Sequence, residues 1–169
     1  MGPIGTGSRG RTIEGMDQED RIEELSEAEC LRLLGTVPVG RVVYTAHALP
    51  AVLPVAFEVA PDGRLVLALL PGSGLSRALD GTVAAFQADR LDTASRSGWS
   101  VLAHGHTVVV RDPEEYRCLL RSGPRAWATD REPMFVRFTP ELLSGRRLLP
   151  EGARRRPVGS APRSQVTGE

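Results

Sequence analysis

Lysine is absent from this chain: all 21 basic residues are arginine. The absence removes a Schiff base on a lysine amine, a lysine general base and a lysine phosphate anchor. A bound anion has to be held by arginine, by hydroxyls or by backbone N–H groups. Cysteine is scarce. Cys30 and Cys118 lie far apart, each within an apolar helical pattern. Both are expected as buried reduced thiols, since a free cysteine behaves as a small hydrophobe, and nothing in their spacing asks for a disulfide. No apolar run approaches about 18 residues, so no membrane-crossing helix is expected. The N-terminus lacks the apolar stretch of a signal peptide, which makes the cytoplasm the expected compartment. Neither sign of charge is in excess, with 21 basic and 21 acidic residues. Nucleic acid and anionic membranes are therefore not expected partners, because both select a surplus of positive charge. The nucleophile elbow Gly-x-Ser-x-Gly, the Walker A loop and Cys-x-x-Cys are missing as well.

What is there suits one domain. A hydrophobic share of 41% and a charged share of 25% over 169 residues are ordinary for a soluble globular chain. Residues 1–20 and 150–169 are rich in glycine and charge and show no periodicity; they read as tails that cannot bury enough apolar surface to offset chain entropy. The folded part is expected over 21–149. It opens on a capping box, Ser26 with Glu29 three residues on, and a helix whose apolar face is Leu25, Cys30, Leu33 and Leu34, stopping at Gly35. Strand patterns follow in GRVVYTA, AVLPVAFEVA, RLVLALL, TVAAFQADR and WSVLAHGHTVVVR. DPEEYRCLLRSG is a second helix with Asp112 as N-cap and Pro113 in its first turn. PMFVRFTP and LLSGRRLL are expected as two further strands separated by Pro140. Short connections between mostly antiparallel strands predict a mainly β fold, a closed or nearly closed barrel with a few short helices.

Three features could carry chemistry. His104 and His106 are two apart on one strand, so they share a face opposite Ala103, Gly105 and Thr107. A zinc site needs three or four ligands. The third histidine, His47, lies in another loop, and residues 107–111 offer no carboxylate, so no metal is expected and the pair reads as polar positions facing a cleft or solvent. Gly72, Ser73 and Gly74 precede a helical turn that carries Ser76 and Arg77. Free N–H groups there could hold a phosphate, or Ser73 could simply cap the helix. Asp89, Asp92 and Asp112 are expected as turn and cap residues.

The order of these pieces carries a resemblance. A short helix leads into Gly35-Thr36-Val37-Pro38-Val39-Gly40-Arg41. LPVAFEV, LVLALLPGSGL and VAAFQAD come next, then Arg96-Ser97-Gly98-Trp99-Ser100-Val101 and finally Ser144-Gly145-Arg146-Arg147. Over roughly residues 25–148 the chain resembles the FMN-binding split-barrel proteins similar to pyridoxamine 5′-phosphate oxidase, in the branch that includes nitroimidazole-resistance proteins. The resemblance implies a six-stranded antiparallel split β-barrel and a homodimer with FMN at the subunit interface. It implies phosphate contacts from Gly72, Ser73, Gly74, Ser76 and Arg77. It sets the ring against Pro54 and Val55 on one strand and Trp99, Ser100, His104 and His106 on another. A flavin-dependent oxidoreductase acting on a small molecule is the implied activity, with no catalytic residue assigned. The chain also departs from the family. Ala68, Leu69, Gly74, His104 and His106 stand where relatives usually carry basic or hydroxyl side chains. Each charge-assisted hydrogen bond is worth about 1.5–3 kcal/mol, so the substitutions predict weakened FMN binding. The alternative is a split-barrel homologue that has lost FMN and binds another small molecule, a haem or a deazaflavin, or acts without cofactor.

Overall fold

The computed structural model describes residues 21–46, 48–70, 74–127 and 131–153. The expected tail 1–20, most of the tail 150–169, His47, Gly72 and Ser73 lie outside the described residues. In chain order the elements are β1 (Ile22–Leu25), α1 (Glu27–Leu34), β2 (Val39–Ala46), β3 (Leu49–Val59), β4 (Leu65–Leu69), α2 (Gly74–Ala78), β5 (Thr82–Asp92), β6 (Ser97–Val109), α3 (Pro113–Ser122) and β7 (Met134–Leu148).

Alternation decides which face of each strand turns inward. Along β6, Trp99, Val101, Ala103 and Thr107 are buried, while Ser100, His104, His106 and Val108 are exposed. Ala84, Phe86 and Ala88 on β5 and Val136 and Phe138 on β7 face inward in the same way, and they form one core with α1. Phe86 sits at its centre, with ring centroids 4.7 Å from Phe57 and 6.1 Å from Phe138. β4 has no polar residue, LVLAL, and is buried throughout. Leu65, Leu67 and Leu69 enter the barrel. Val66 and Ala68 lie on the other face in a second cluster with Phe135 and Val110, under Tyr116 and Leu119 of α3.

The strands form one antiparallel sheet in the order β1-β7-β4-β3-β2-β5-β6, and β6 also pairs with β7. Strands β2 to β7 thereby close a six-stranded barrel, as the sequence leads one to expect. β1 is an addition: it pairs with the C-terminal end of β7, Ile22 opposite Leu148 to Leu25 opposite Gly145, on the edge that β4 uses only as far as Phe138. Four residues carry too little periodicity to announce a strand, and the exposed edge of β7 creates it.

One expected boundary is corrected. Pro140 does not separate two strands; β7 runs unbroken for 15 residues from Met134 to Leu148. A register shift between His104 and Gly105 puts Pro140 opposite Gly105 and Leu142 opposite His104. This β-bulge absorbs one extra residue and the missing N–H of proline, which a regular central strand would not tolerate. Cys118 is a second correction. Cys30 is fully buried, and burial pushes its thiol pKa up, but Cys118 is exposed. The stripe of α3 that meets the barrel is Tyr116 and Leu119, and Cys118 points away from it. Asp89 is also not a turn residue: it stands inside β5. Ser26 and Asp112 cap α1 and α3 as expected, the first in a complete capping box, and Asp92 accepts from the Ala94 N–H in a turn.

Asp80 ties the end of β6 down, accepting from the Val109 N–H at 3.1 Å and from two Arg111 nitrogens at 3.0 and 2.6 Å. The Arg111 guanidinium, and next the Val109 N–H, hold its pKa below the ordinary carboxylate value. A depressed folded-state pKa gives stability that is present above the unfolded pKa and is lost as pH falls through the folded one. Asp80→Asn is expected to flatten the acid limb of the stability–pH profile, read from urea unfolding between pH 7 and pH 2; an unchanged limb contradicts this.

Candidate functional site

β3 is 11 residues long, yet β4 covers only Ala56–Val59 of it. From Leu49 to Val55 its β4-side edge is open, and Pro50 and Pro54 fall in that half, where a missing N–H is tolerated. The barrel wall is split there. A cavity of about 270 Å³ occupies the split, lined by Leu53, Pro54, Val55, Leu69, Leu70 and Leu75 among others. Its walls are almost wholly apolar because β4 ends in Ala68 and Leu69, both buried, without a polar side chain. Of the expected phosphate residues, Gly74, Ser76 and Arg77 lie on the five-residue α2 next to this cavity, which Leu75 of the same helix lines. Arg77 is exposed and has no ion partner among the described residues.

The other expected contacts lie elsewhere. Cross-strand register puts Pro54 opposite Arg41, Arg41 opposite Gln87 and Gln87 opposite Leu102. Three strand spacings, roughly 14 Å along the sheet, therefore separate Pro54 from the outer face of β6. Ser100 stands on that face in a second cavity of about 470 Å³, with Glu24, Leu102, Ser144 and Arg146. The two motifs that carry the resemblance meet here: Trp99 pairs with Arg147, Ser100 with Arg146 and Leu102 with Ser144 across the β6–β7 ladder. Arg147 reaches Glu23 at 3.4 Å and Glu29 at 3.7 Å, whereas Arg146 has no partner among the described residues. A hydrogen-bond chain leads into this cavity. Arg41 donates to Asp89 (2.7 Å) and Gln87 (3.1 Å), and Gln87 donates to Asp89 (2.7 Å) and Ser100 (3.4 Å). Arg41, Gln87, Ser144 and Arg146 were not singled out as site residues in the sequence. Only the ladder brings them to Ser100.

Trp99 faces inward and is part of the core, 8% exposed. His104 and His106 are exposed on the outer face and line neither cavity. His106 Nδ1 lies 2.5 Å from Glu141 Oε1, the carboxylate that the bulge in β7 brings beside it. His104 stands between Ala85 of β5 and Leu142 of β7. Val52 and Val43 continue that row, giving a mainly apolar strip with Val52 58% and Leu142 62% exposed.

This geometry agrees with what the chain is similar to. The family model for pyridoxamine 5′-phosphate oxidase matches residues 26–147. An uncharacterized protein of Mycobacterium tuberculosis is 38% identical over 136 residues, spanning 76% of this chain and 86% of that one. Among solved structures, a FAD binding protein of Mycobacterium smegmatis is 28% identical, with a TM-score of 0.59 over 75% of this chain and 98% of its own. A conserved protein of unknown function from Corynebacterium diphtheriae is 29% identical, with a TM-score of 0.64 over 77% and 100%. With a split barrel, a family model spanning the whole of it and a relative at 38% identity, the chain belongs to the pyridoxamine 5′-phosphate oxidase family.

Proposed function

We propose that this chain binds a flavin, as FMN or FAD, and serves as an oxidoreductase on a small molecule in the cytoplasm, with the flavin seated between two copies of the chain. The cavity in the barrel split carries the reading. At about 270 Å³ it falls just short of the ~300–1,000 Å³ usual for a ligand site, so it accommodates part of such a cofactor and needs a second surface to enclose the rest. The polar cavity around Ser100 and Arg146 supplies the guanidinium and hydroxyl donors that the described lining of the split does not include. Too far away in one protomer, it reaches the split only from a partner. The Val52–Val43–Ala85–His104–Leu142 strip, exposed at Val52, His104 and Leu142 and half-buried at Val43 and Ala85, is the surface on which two copies would pack. A bound flavin supplies the redox chemistry itself. The chain's part is to keep water from the ring with the walls at Leu53, Pro54 and Leu69, and to hold the anionic end with Arg77 and Arg146.

The FAD-binding relative at 28% identity supports the flavin class. A second reading, a homologue that has lost the flavin in favour of haem, a deazaflavin or no cofactor, draws on the apolar end of β4 at Ala68 and Leu69. Titration of the purified protein with FMN and with FAD, followed by flavin fluorescence, separates the two. Quenching that saturates at one flavin per chain supports the first reading; a colourless protein that quenches neither sinks it. Arg146→Ala is expected to weaken flavin binding at least tenfold, the size of one charge-assisted contact. Ala85→Arg is expected to turn a dimer into monomers in light scattering and to lose the flavin with it.

A further inference from the structure

Beside the split lies a larger cavity of about 600 Å³, between the end of α1, the outer face of β3 and the segment that follows α3. Ala56 and Trp127 line both cavities, so the two share a wall. Trp127 is 76% exposed, although an indole would normally be covered in a folded chain. Glu58 and Arg125 also line the larger cavity. Neither has a hydrogen-bond or ion-pair partner among the described residues, and they do not pair with each other. Thr36 and Val37 line it as well, and there the hydroxyl of Thr36 already donates to the Leu33 carbonyl at 2.6 Å and the Val37 N–H to that of Leu34 at 3.3 Å. Among the described lining residues, the recognition groups left open are thus one aromatic face, one guanidinium and one carboxylate.

We infer that this cavity is a binding site for a small planar aromatic carboxylate with a hydrogen-bond donor at its far end, of the hydroxybenzoate type. The ring packs on Trp127, the ligand carboxylate takes the fork of Arg125, and the hydroxyl donates to Glu58. A guanidinium matches a carboxylate with two parallel N–H donors, which favours that anion over a spherical one. The carboxylate of Glu58 rewards a donor and repels a second anionic group, so it selects against dicarboxylates. That this molecule is a redox substrate, lying against the wall shared with the split, rests on the flavin reading; its binding does not.

Calorimetric titration of the full chain with 4-hydroxybenzoate, 4-hydroxybenzamide, benzoate and cyclohexanecarboxylate tests the site, with and without saturating FMN or FAD. The expected order places 4-hydroxybenzoate tightest and cyclohexanecarboxylate weakest. Arg125→Gln is expected to weaken 4-hydroxybenzoate about tenfold and to leave 4-hydroxybenzamide unchanged. Glu58→Gln is expected to narrow the gap between 4-hydroxybenzoate and benzoate, and Trp127→Phe to retain more affinity than Trp127→Ala. All three side chains are exposed, so the variants keep the fold. Absence of heat with 4-hydroxybenzoate, no preference for it over cyclohexanecarboxylate, or an unchanged affinity in Arg125→Gln overturns the inference. Binding of 4-hydroxybenzoate in a protein that takes no flavin upholds this site and sinks the flavin reading; flavin binding without 4-hydroxybenzoate binding does the reverse.

Discussion

Gly105→Val is expected to destabilise the barrel by about 4 kcal/mol or more, at the severe end for single substitutions. A Cβ on Gly105 would stand 1.9 Å from the carbonyl oxygen of Thr139, 2.8 Å from its carbon and 3.0 Å from the Cα of Pro140. All three are backbone atoms, so no side chain can rotate away. The strand cannot retreat either. His106 pairs with Thr139 and Thr107 with Phe138 immediately beside the bulge, and the β6–β7 ladder is the seam that closes the barrel. The measurement is the urea midpoint at neutral pH, with Gly74→Ala as control because nothing lies within 4 Å of a Cβ there. A midpoint in Gly105→Val within the equivalent of about 1 kcal/mol of the parent would show that the bulge yields, and would contradict this account of Pro140 in mid-strand.

Phe86→Ala is expected to remove about 3–5 kcal/mol, the usual range for a fully buried phenylalanine. The ring is 0% exposed, edge-on to Phe57 at 62° and tilted against Phe138. It also explains Gly40. A Cβ on Gly40 would lie 2.1 Å from the Cζ of Phe86, so β2 carries glycine there to let the ring cross beneath it. Gly40→Ala alone should therefore overpack the core, by about 1–3 kcal/mol. In the Phe86→Leu background the same substitution meets a shorter side chain, and its cost should fall. Urea unfolding of the parent, the two single variants and the double variant measures the coupling. Effects that add within about 0.5 kcal/mol would show that the ring does not set the identity of residue 40.

The local alphabet of the chain made much of the fold legible. Alternation in residues 99–111 put His104 and His106 on one face and Ala103, Gly105 and Thr107 on the other, as β6 has them, Ser26 with Glu29 named the start of α1, and Asp112 with Pro113 named that of α3. These signals depend on neighbours within one turn or one pleat, which a linear reading sees directly. Pro140 misled because its ordinary meaning, the end of a strand, is also local. The bulge that overrides it depends on Gly105, 35 positions away. β1 and the exposure of Cys118 were hidden for the same kind of reason: a four-residue edge strand and the precise stripe of a helix that meets a barrel are decided by what stands opposite.

The site divides along that line. The amino-acid order alone is enough to say that an anion would meet arginine rather than lysine, that His104 and His106 share one face, and that the motifs around Ser100 and Arg146 belong to a split-barrel family. That β3 outruns β4 and leaves an apolar cavity at Pro54 emerges with the folded chain. So do the meeting of Ser100 and Arg146 across the β6–β7 ladder three strands away, and the gathering of Trp127, Arg125 and Glu58 around one cavity. The reason is physical. Side-chain periodicity is set within a few residues, whereas a cavity is what remains when strands of unequal length pair in a closed ring, and that inequality appears only once the ring has closed.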